Sequence, residues 1–311
     1  MSAAGAPLGG RGAIAAGSSR ERRGLALAWA LVLGLAVGVR LWNALAGPRM
    51  WGYDAWGHVA YTLFLDAYRG LPWADQGWSY FHPPLHYLLG WALAQLRDAE
   101  LLMRGLALLG SAASLGTAGL AAWVARRASP ARPALALVAF GGVACLPVHF
   151  FVSPMPGNAM TSALLASAAV CAFVANDARA RPALAGDAAA GALVGLALLT
   201  HFGGLVPGLA LCAALFARAS LAEQRGRALR RATVRAAVVA AAALLLALPY
   251  YARSLAAFGD AFEMSREYAP VADVERDQQP GARSWRDYVF VSPKLFTDPD
   301  PQAPHMLHSV W

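Results

Sequence analysis

The sequence predicts an all-α, polytopic membrane protein, and two observations carry this prediction. Of the 311 residues, 58% are hydrophobic and only 14% are charged, whereas about a quarter of the residues of an average globular domain are charged. Most of the apolar residues also fall in runs of roughly 16 to 22, the length of helix that crosses a ~30 Å hydrocarbon core. Composition and patterning therefore argue against an ordinary soluble protein.

About seven membrane segments are predicted, with interfacial helices in the first outer loop. A further apolar run, residues 85–96, is too short to span the bilayer. It follows Pro83 and Pro84, which suit a helix start, so we expect it to lie in the interface. The seven segments are residues 25–46, 104–124, 134–152, 159–175, 188–200, 205–216 and 236–251.

Three regions are predicted along the chain. Residues 1–24 form a disordered cytoplasmic N-terminus, and residues 25–251 form a transmembrane module that includes the outer loop 47–103. Residues 252–311 form a segment on the outer face. The first apolar run resembles a cleavable signal peptide, but it is long for one and carries Arg40 near its end, so we expect a retained helix.

The arginines predict the orientation of the chain. If residues 85–96 do not cross, one side holds the N-terminus with 15 basic and four acidic residues, and the other holds 11 basic and 14 acidic residues. The positive-inside rule makes the first side cytoplasmic. Residues 188–200 and 205–216 are each short, and the charge pattern favours a helical hairpin that turns at residues 200–204. The net charge of +8 therefore indicates membrane orientation, and no nucleic-acid partner is predicted.

With this orientation, all seven histidines fall on or near the outer face, where we expect any chemistry to occur. The three cysteines lie inside apolar runs and form neither a disulfide framework nor a metal-spaced set. These residues are His58, His82, His86, His149, His201, His305 and His308, and Cys145, Cys171 and Cys212.

Asp54 opens the first outer loop and has two interpretations. It could cap a helix that starts there. Helical spacing also places Asp54, His58 and Tyr61 on one polar stripe, and a partly desolvated carboxylate in a membrane-facing cleft can act as a general base for a hydroxyl. The residue pattern alone leaves both interpretations open.

His82 and His86 are spaced like a pair of metal ligands. Pro83, however, restricts the backbone of His82, and no glutamate follows His82 as in metalloprotease helices. Interfacial anchoring, or a place at the mouth of a pocket, is the preferred interpretation, and no metal ligands are predicted.

Three further polar residues stand at the outer ends of predicted spans. Asn158 could cap the next helix or offer its amide to the cavity that Asp54 faces. Arg40 and Arg253 could anchor their helices in the interface, or hold a lipid phosphate, because a guanidinium group suits bidentate phosphate contact.

Taken in order, these residues resemble the GT-C membrane glycosyltransferases, particularly the branch of protein O-mannosyltransferases, aminoarabinose transferases and RgtA/B/C/D-like enzymes. The resemblance covers residues 25–260. It rests on Arg40 near the end of the first span, on YDAWGH with Asp54, on HPPLHY at 82–87, on LTHFG at 199–203 and on PYYAR at 249–253. His201 stands where that family has a lysine, and Asn158 stands where many relatives have a second acid.

The resemblance implies a GT-C-like bundle and an inverting transferase. The donor would be a sugar linked to polyprenyl phosphate, and the acceptor a hydroxyl of a glycan, lipid or protein, next to membrane lipids on the outer face. Asp54 would be the catalytic residue, with Arg40, Arg253 and His201 at the donor phosphate. His58, His82, His86 and Asn158 would line the cleft. The resemblance fixes no cofactor and leaves a divalent metal ion open. Because relatives continue with more spans, it also predicts that residues 252–311 continue in a longer parent chain.

Two other classes of function are weighed. A lipid or solute transporter or flippase usually has paired repeats and ionisable residues near the bilayer midplane, and the spans here are almost free of charge inside. A non-catalytic membrane binding subunit is the third alternative, which the loss of the second acid favours slightly.

Overall fold

The computed structural model describes residues 18–47, 55–77 and 79–263. Within these ranges it contains ten α-helices and no strand, which confirms the all-α prediction. The helices are α1 (Ser19–Ala46), α2 (Ala55–Tyr68), α3 (Leu85–Ala94), α4 (Ala99–Ala128), α5 (Ala134–Ala144), α6 (Pro147–Val152), α7 (Ala159–Asp177), α8 (Leu184–Leu198), α9 (Leu205–Ser220) and α10 (Arg225–Phe258).

Two long helices begin earlier than hydropathy predicts because polar residues cap them. Ser18 and Glu21 form a capping box at the start of α1, in which each side chain accepts a hydrogen bond from the backbone N–H of the other. Asp98 accepts two backbone N–H groups at the start of α4, at 2.8 and 3.1 Å. Caps of this kind contribute about 1 kcal/mol each, so both helices extend past their apolar cores.

Five helices among the described residues are long and apolar enough to cross a membrane, so the chain has the character of a multi-pass membrane protein. They cover Ser19–Ala46, Ala99–Ala128, Ala159–Asp177, Phe202–Ser220 and Arg225–Phe258. The shorter apolar helices are α3, α5 and α8. Helix α3 has ten residues and is therefore about 15 Å long, so the prediction of a short helix there is confirmed.

The prediction of one continuous segment over residues 134–152 is wrong. Helix α5 ends at Ala144 and α6 begins at Pro147. The break follows from Pro147, which has no N–H to continue the ladder and forces the residue before it out of the helical region. Leu146 accordingly has an extended ψ of 132°.

Helix α8 packs between α7 and α10 at very short range. A Cβ atom on Gly191 would overlap the carbonyl oxygen of Val239, and one on Gly195 would lie 2.7 Å from that of Ala243. Small residues permit such close contact between helices, as is common in membrane bundles. Both glycines therefore fix the distance between α8 and α10.

Helices α7 to α10 alternate in direction, and hydrogen bonds and ion pairs join them at both ends. At one end Arg235 donates to both carboxylate oxygens of Asp187 at 2.8 Å and to Asp177 at 2.8 Å. Asp177 also pairs with Arg218. At the other end the Tyr251 hydroxyl donates to the carbonyl of Leu198 at 2.9 Å. The predicted turn between α8 and α9 is thus confirmed.

Candidate functional site

Four histidines from separate segments come together at the end of the bundle where α8 turns into α9. The rings of His58 and His82 stack with centroids 5.2 Å apart and planes inclined by 23°. The rings of His82 and His201 lie 5.7 Å apart. His86 is close enough to interact electrostatically with His58 and His82. We refer to His58, His82, His86 and His201 as the histidine cluster.

Hydrogen bonds hold the segment that contains His82 against the rest of the bundle. The backbone N–H of Leu85 donates to the carbonyl of Leu199 at 2.8 Å, which joins the start of α3 to the end of α8. The Tyr250 hydroxyl on α10 lies 3.0 Å from the carbonyl oxygens of both Phe81 and His82 and donates to them. The loop before α3 is therefore fixed by α8 and α10 together.

Helix α2 presents its polar stripe to the protein interior. His58 and Tyr61 are both buried, whereas Trp56, on the apolar stripe along the other side of the helix, is 66% exposed. The Nδ1 atom of His58 lies 2.6 Å from the Tyr87 hydroxyl, and the Tyr87 ring stacks on the Tyr61 ring with centroids 3.9 Å apart. An exposed apolar stripe over a buried polar stripe is the pattern expected of a helix that contacts lipid.

Three buried polar atoms near the cluster have no hydrogen-bond partner within the described part of the chain. They are Nδ1 of His82, Nε2 of His86 and the hydroxyl of Tyr61. The other ring nitrogen of His86, Nδ1, lies 3.1 Å from Oγ1 of Thr161 on α7. An unpaired buried polar group costs about 1–3 kcal/mol, so a polar molecule that reached these atoms would be stabilised there.

Burial keeps His82, His86 and His201 uncharged near neutral pH. Desolvation lowers the pKa of His82 well below its usual range, and the neighbouring histidines lower it further. Desolvation, followed by the charge of His58, lowers the pKa of His86 to about 3. The same two causes lower the pKa of His201. A neutral imidazole has one donor and one acceptor nitrogen, so these three rings can bind hydroxyl groups but do not act as cations.

Asn158 lies at the start of α7, but its side chain does not cap that helix, so the capping interpretation is wrong. Its Nδ2 instead donates to the carbonyl of Thr200 at 2.8 Å, one residue before His201. Thr200 is fully buried, so this bond satisfies a carbonyl oxygen that is shielded from solvent. The preceding residue, Gly157, packs on the ring of His58, where an added Cβ atom would meet the ring at 3.3 Å. The turn before α7 therefore borders the histidine cluster.

Arg253 on α10 binds the loop that follows α2. Its two Nη atoms donate to the carbonyls of Leu71 and Pro72, each at 3.0 Å. Its guanidinium group lies 3.6 Å from the centroid of the Trp73 ring. These contacts fix the orientation of the group next to the segment that Tyr250 holds.

Arg40, unlike Arg253, lies inside the bundle and is only 1% exposed. It donates to Ser114 Oγ at 2.9 and 3.2 Å and to the carbonyls of Ala36 and Ala144 at 3.0 and 2.9 Å. These bonds join α1 to α4 and to the end of α5. A phosphate contact remains a prediction for Arg40, and it would require some of these bonds to break.

Asp54, the predicted catalytic residue, lies outside the described residues. Its sequence neighbour Ala55 is the first residue of α2, and His58 follows within one turn. Among the described residues, no group of three or more His, Cys, Asp or Glu side chains is arranged to hold a metal ion. The stacked rings of His58 and His82 direct their faces, rather than their nitrogens, toward one another, so they do not fit a shared metal.

Sequence reasoning missed Thr161 and the roles of Tyr250 and Tyr87. Thr161 contacts His86, Tyr250 holds the loop of His82, and Tyr87 contacts His58. Tyr250 and Tyr87 both lie inside the quoted motifs, so the motifs signalled their importance but not their partners. Nothing in the sequence distinguished Thr161 from the other hydroxyl residues of the spans.

The chain matches no family model, and no curated protein and no solved structure is significantly similar to it.

Proposed function

We propose that the chain is a membrane glycosyltransferase that moves a sugar from a polyprenyl-phosphate donor to an acceptor hydroxyl on the outer face, with inversion at the anomeric carbon. One observation carries the proposal, which is that segments far apart in the sequence meet at one end of the bundle. HPPLHY is bonded to the α8–α9 turn at residues 199–203 through Leu85, and to PYYAR through the bond from Tyr250 to His82. These are the segments on which the resemblance to GT-C enzymes rests.

Asp54 has the role of general base in this proposal. It takes the proton of the acceptor hydroxyl while the hydroxyl oxygen attacks the anomeric carbon. The bond from that carbon to the phosphate oxygen breaks, and its electron pair leaves with the polyprenyl phosphate. The place of Asp54 directly before α2 supports this role, since α2 brings His58 into the histidine cluster.

Arg253 has the role of phosphate ligand. The described bonds to Leu71 and Pro72 account for two of the five N–H groups of its guanidinium. They fix its plane, so less side-chain entropy is lost when the remaining donors bind a phosphate. Leu245 and Leu248 on the same helix are 77% and 55% exposed, and this apolar surface gives a polyprenyl chain a path toward Arg253.

The histidine cluster has the role of binding uncharged hydroxyl groups. Because His82, His86 and His201 have lowered pKa values, they present both donors and acceptors without charge. Sugar hydroxyls need both kinds of partner. A cluster of cations would instead attract the phosphate away from Arg253.

The experiment that tests the proposal uses purified full chain in proteoliposomes and a panel of radiolabelled polyprenyl-phosphate sugars. We expect transfer or hydrolysis of at least one sugar, with loss of the label from the lipid. Matched nucleotide sugars should give none. If no donor in the panel loses its sugar while a labelled lipid crosses the bilayer, the chain is a transporter and the proposal is wrong.

A further inference from the structure

The first turns of α10 carry a patch of exposed arginines at the end of the bundle opposite the histidine cluster. Arg227, Arg230 and Arg231 are all exposed and occupy positions i, i+3 and i+4, so they share one face of the helix. Like charges at this spacing repel one another. We refer to these three residues as the arginine patch.

The arginine patch has no carboxylate partner among the described residues. Its only described side-chain bond joins Nη1 of Arg227 to Oε1 of Gln224 at 2.9 Å, and Gln224 carries no charge. Arg235, one turn further along the same helix, is different, because it pairs with both Asp177 and Asp187. Asp177 and Asp187 therefore neutralise Arg235, whereas the three positive charges of the arginine patch have no protein counter-charge among the described residues.

The length of α10 indicates that Arg235 and the arginine patch lie at different depths relative to the membrane. The helix has 34 residues, or about 51 Å, which exceeds the ~20 residues that cross the hydrocarbon core. Tyr250, which binds the loop before α3, sets one interface. Arg230 lies about 20 residues before Tyr250 on the same helix, which is the length that crosses the hydrocarbon core. Arg230 is therefore at the level of the lipid headgroups of the opposite leaflet. Arg235 lies roughly 7 Å deeper, where an unpaired charge would be costly.

We infer that the arginine patch binds the phosphate headgroup of an anionic lipid in the leaflet opposite the histidine cluster. Charge complementarity supports a headgroup, since three guanidinium groups on one face supply parallel donors suited to phosphate oxygens. The position of the patch at the headgroup level supports a lipid rather than a soluble anion.

This inference does not depend on the proposed transferase activity. It requires only that α10 spans the membrane. The lipid would stabilise the N-terminal part of α10 by relieving the repulsion within the patch. Because Asp187 and Asp177 link that part of α10 to α8 and α7, the stabilisation would extend to the four helices α7 to α10.

The test measures the melting temperature of the purified full chain in neutral detergent with added phosphatidylglycerol or phosphatidylcholine. We expect phosphatidylglycerol to raise the melting temperature by about 5 °C more than phosphatidylcholine does. The triple variant R227Q/R230Q/R231Q should lose most of this difference. The matched control R126Q/R127Q/R132Q removes the same charge from the last turn of α4 and the loop after it, at the same end of the bundle, and should keep the difference.

Three results would overturn the inference. Equal loss in both triple variants would show a diffuse effect of surface charge, and no loss in either would show that the patch binds no lipid. Equal stabilisation by inorganic phosphate would identify a soluble anion as the ligand. If the triple variant does not fold, native mass spectrometry compares the single variants Arg230→Gln and Arg126→Gln. We expect Arg230→Gln to retain fewer phosphatidylglycerol molecules than Arg126→Gln. Equal retention would contradict the inference.

Discussion

The Nδ1 atom of His58 lies 2.6 Å from the hydroxyl of Tyr87, and this contact links the helix that follows Asp54 to the helix that begins in HPPLHY. The two residues are separated by 29 positions in the sequence. Gly157 closes on the other side of the His58 ring. The imidazole of His58 therefore contacts α3 and the turn before α7 at once, and the stacked rings of Tyr61 and Tyr87 add a second contact between α2 and α3.

The lowered pKa values in the histidine cluster predict that stability falls as the pH falls. In the unfolded chain these histidines titrate near 6.5, whereas in the folded chain the pKa of His86 is about 3 and those of His82 and His201 are lowered. The unfolded chain therefore binds more protons below pH 6.5. The stabilisation is complete above about pH 6.5 and is lost progressively between pH 6.5 and 3.

Thermal unfolding in detergent at pH 7, 6 and 5 checks this expectation. Each titrating histidine contributes up to about 1.4 kcal/mol per pH unit. His86→Gln should flatten the pH dependence, because it removes one titrating group. Thr161→Val removes the hydrogen-bond partner of His86 but no titrating group, so it should keep the wild-type slope. An unchanged slope in His86→Gln would contradict the account.

The ion pairs at the other end of the bundle should be essential for stability where they are buried. Asp187 is fully buried and is bound by Arg235 and Asn176. Arg235→Gln leaves that carboxylate without its cation, and breaking a buried pair in this way typically costs about 3–5 kcal/mol. The side chain of Arg218 is 69% exposed, so Arg218→Gln should cost about 1 kcal/mol or less. The melting temperatures of the two variants are compared. If Arg235→Gln lowers the melting temperature no more than Arg218→Gln does, the contact with Asp187 is not important for stability.

The two candidate phosphate ligands should respond differently to removal. Arg253→Ala should weaken binding of the donor lipid about tenfold or more, since a charge-assisted hydrogen bond contributes about 1.5–3 kcal/mol, with only a modest effect on folding. Arg40→Ala should mainly destabilise the protein, because Arg40 is buried and bonded to Ser114, Ala36 and Ala144. Donor affinity and melting temperature are measured on both. If neither variant binds donor less tightly, the phosphate site lies elsewhere.

The predicted topology has a direct test. Single cysteines at Ser129 and Gln76, in a background without the three native cysteines, should react oppositely with an impermeant thiol reagent in intact cells. Ser129 follows α4, and Gln76 lies in the loop between α2 and α3. The positive-inside rule predicts that Ser129 faces the cytoplasm. Equal labelling at both positions would rule out this topology.

The helices were largely predictable from the sequence, whereas their ends depended on individual residues. Apolar runs locate α1, α4, α7 and α10, because helices in lipid must satisfy their own backbone groups. Hydropathy does not register the caps at Ser18 and Asp98, which extend α1 and α4. It also does not register the missing N–H of Pro147, which divides one predicted segment into α5 and α6.

The histidine cluster was only partly predictable from the sequence. Charge bias indicated that His58, His82, His86 and His201 share one side, but not that their rings are in contact. The contact of Tyr250 with the His82 carbonyl joins residues 168 positions apart, and a single sequence carries no signal for such a pair. Asn158 shows the same limit, because its place before a helix left a cap and a cavity-facing amide both open, and the sequence did not indicate that its side chain binds the carbonyl of Thr200.

The central claim is that Asp54 is a catalytic base, and one substitution tests it most directly. Asp54→Asn keeps the size of the side chain and its ability to cap a helix but cannot accept the proton. Asp75→Asn is the matched control, because Asp75 is an exposed acid in the same outer loop. Sugar transfer from the polyprenyl-phosphate donor, donor affinity and melting temperature are measured on both variants and on the wild type.

General bases contribute about 10²- to 10⁴-fold to rate. We therefore expect transfer by Asp54→Asn to fall by at least about 100-fold, while its donor affinity, its melting temperature and the activity of Asp75→Asn remain close to wild type. Near-wild-type transfer by Asp54→Asn would contradict the claim and leave Asp54 with a capping role.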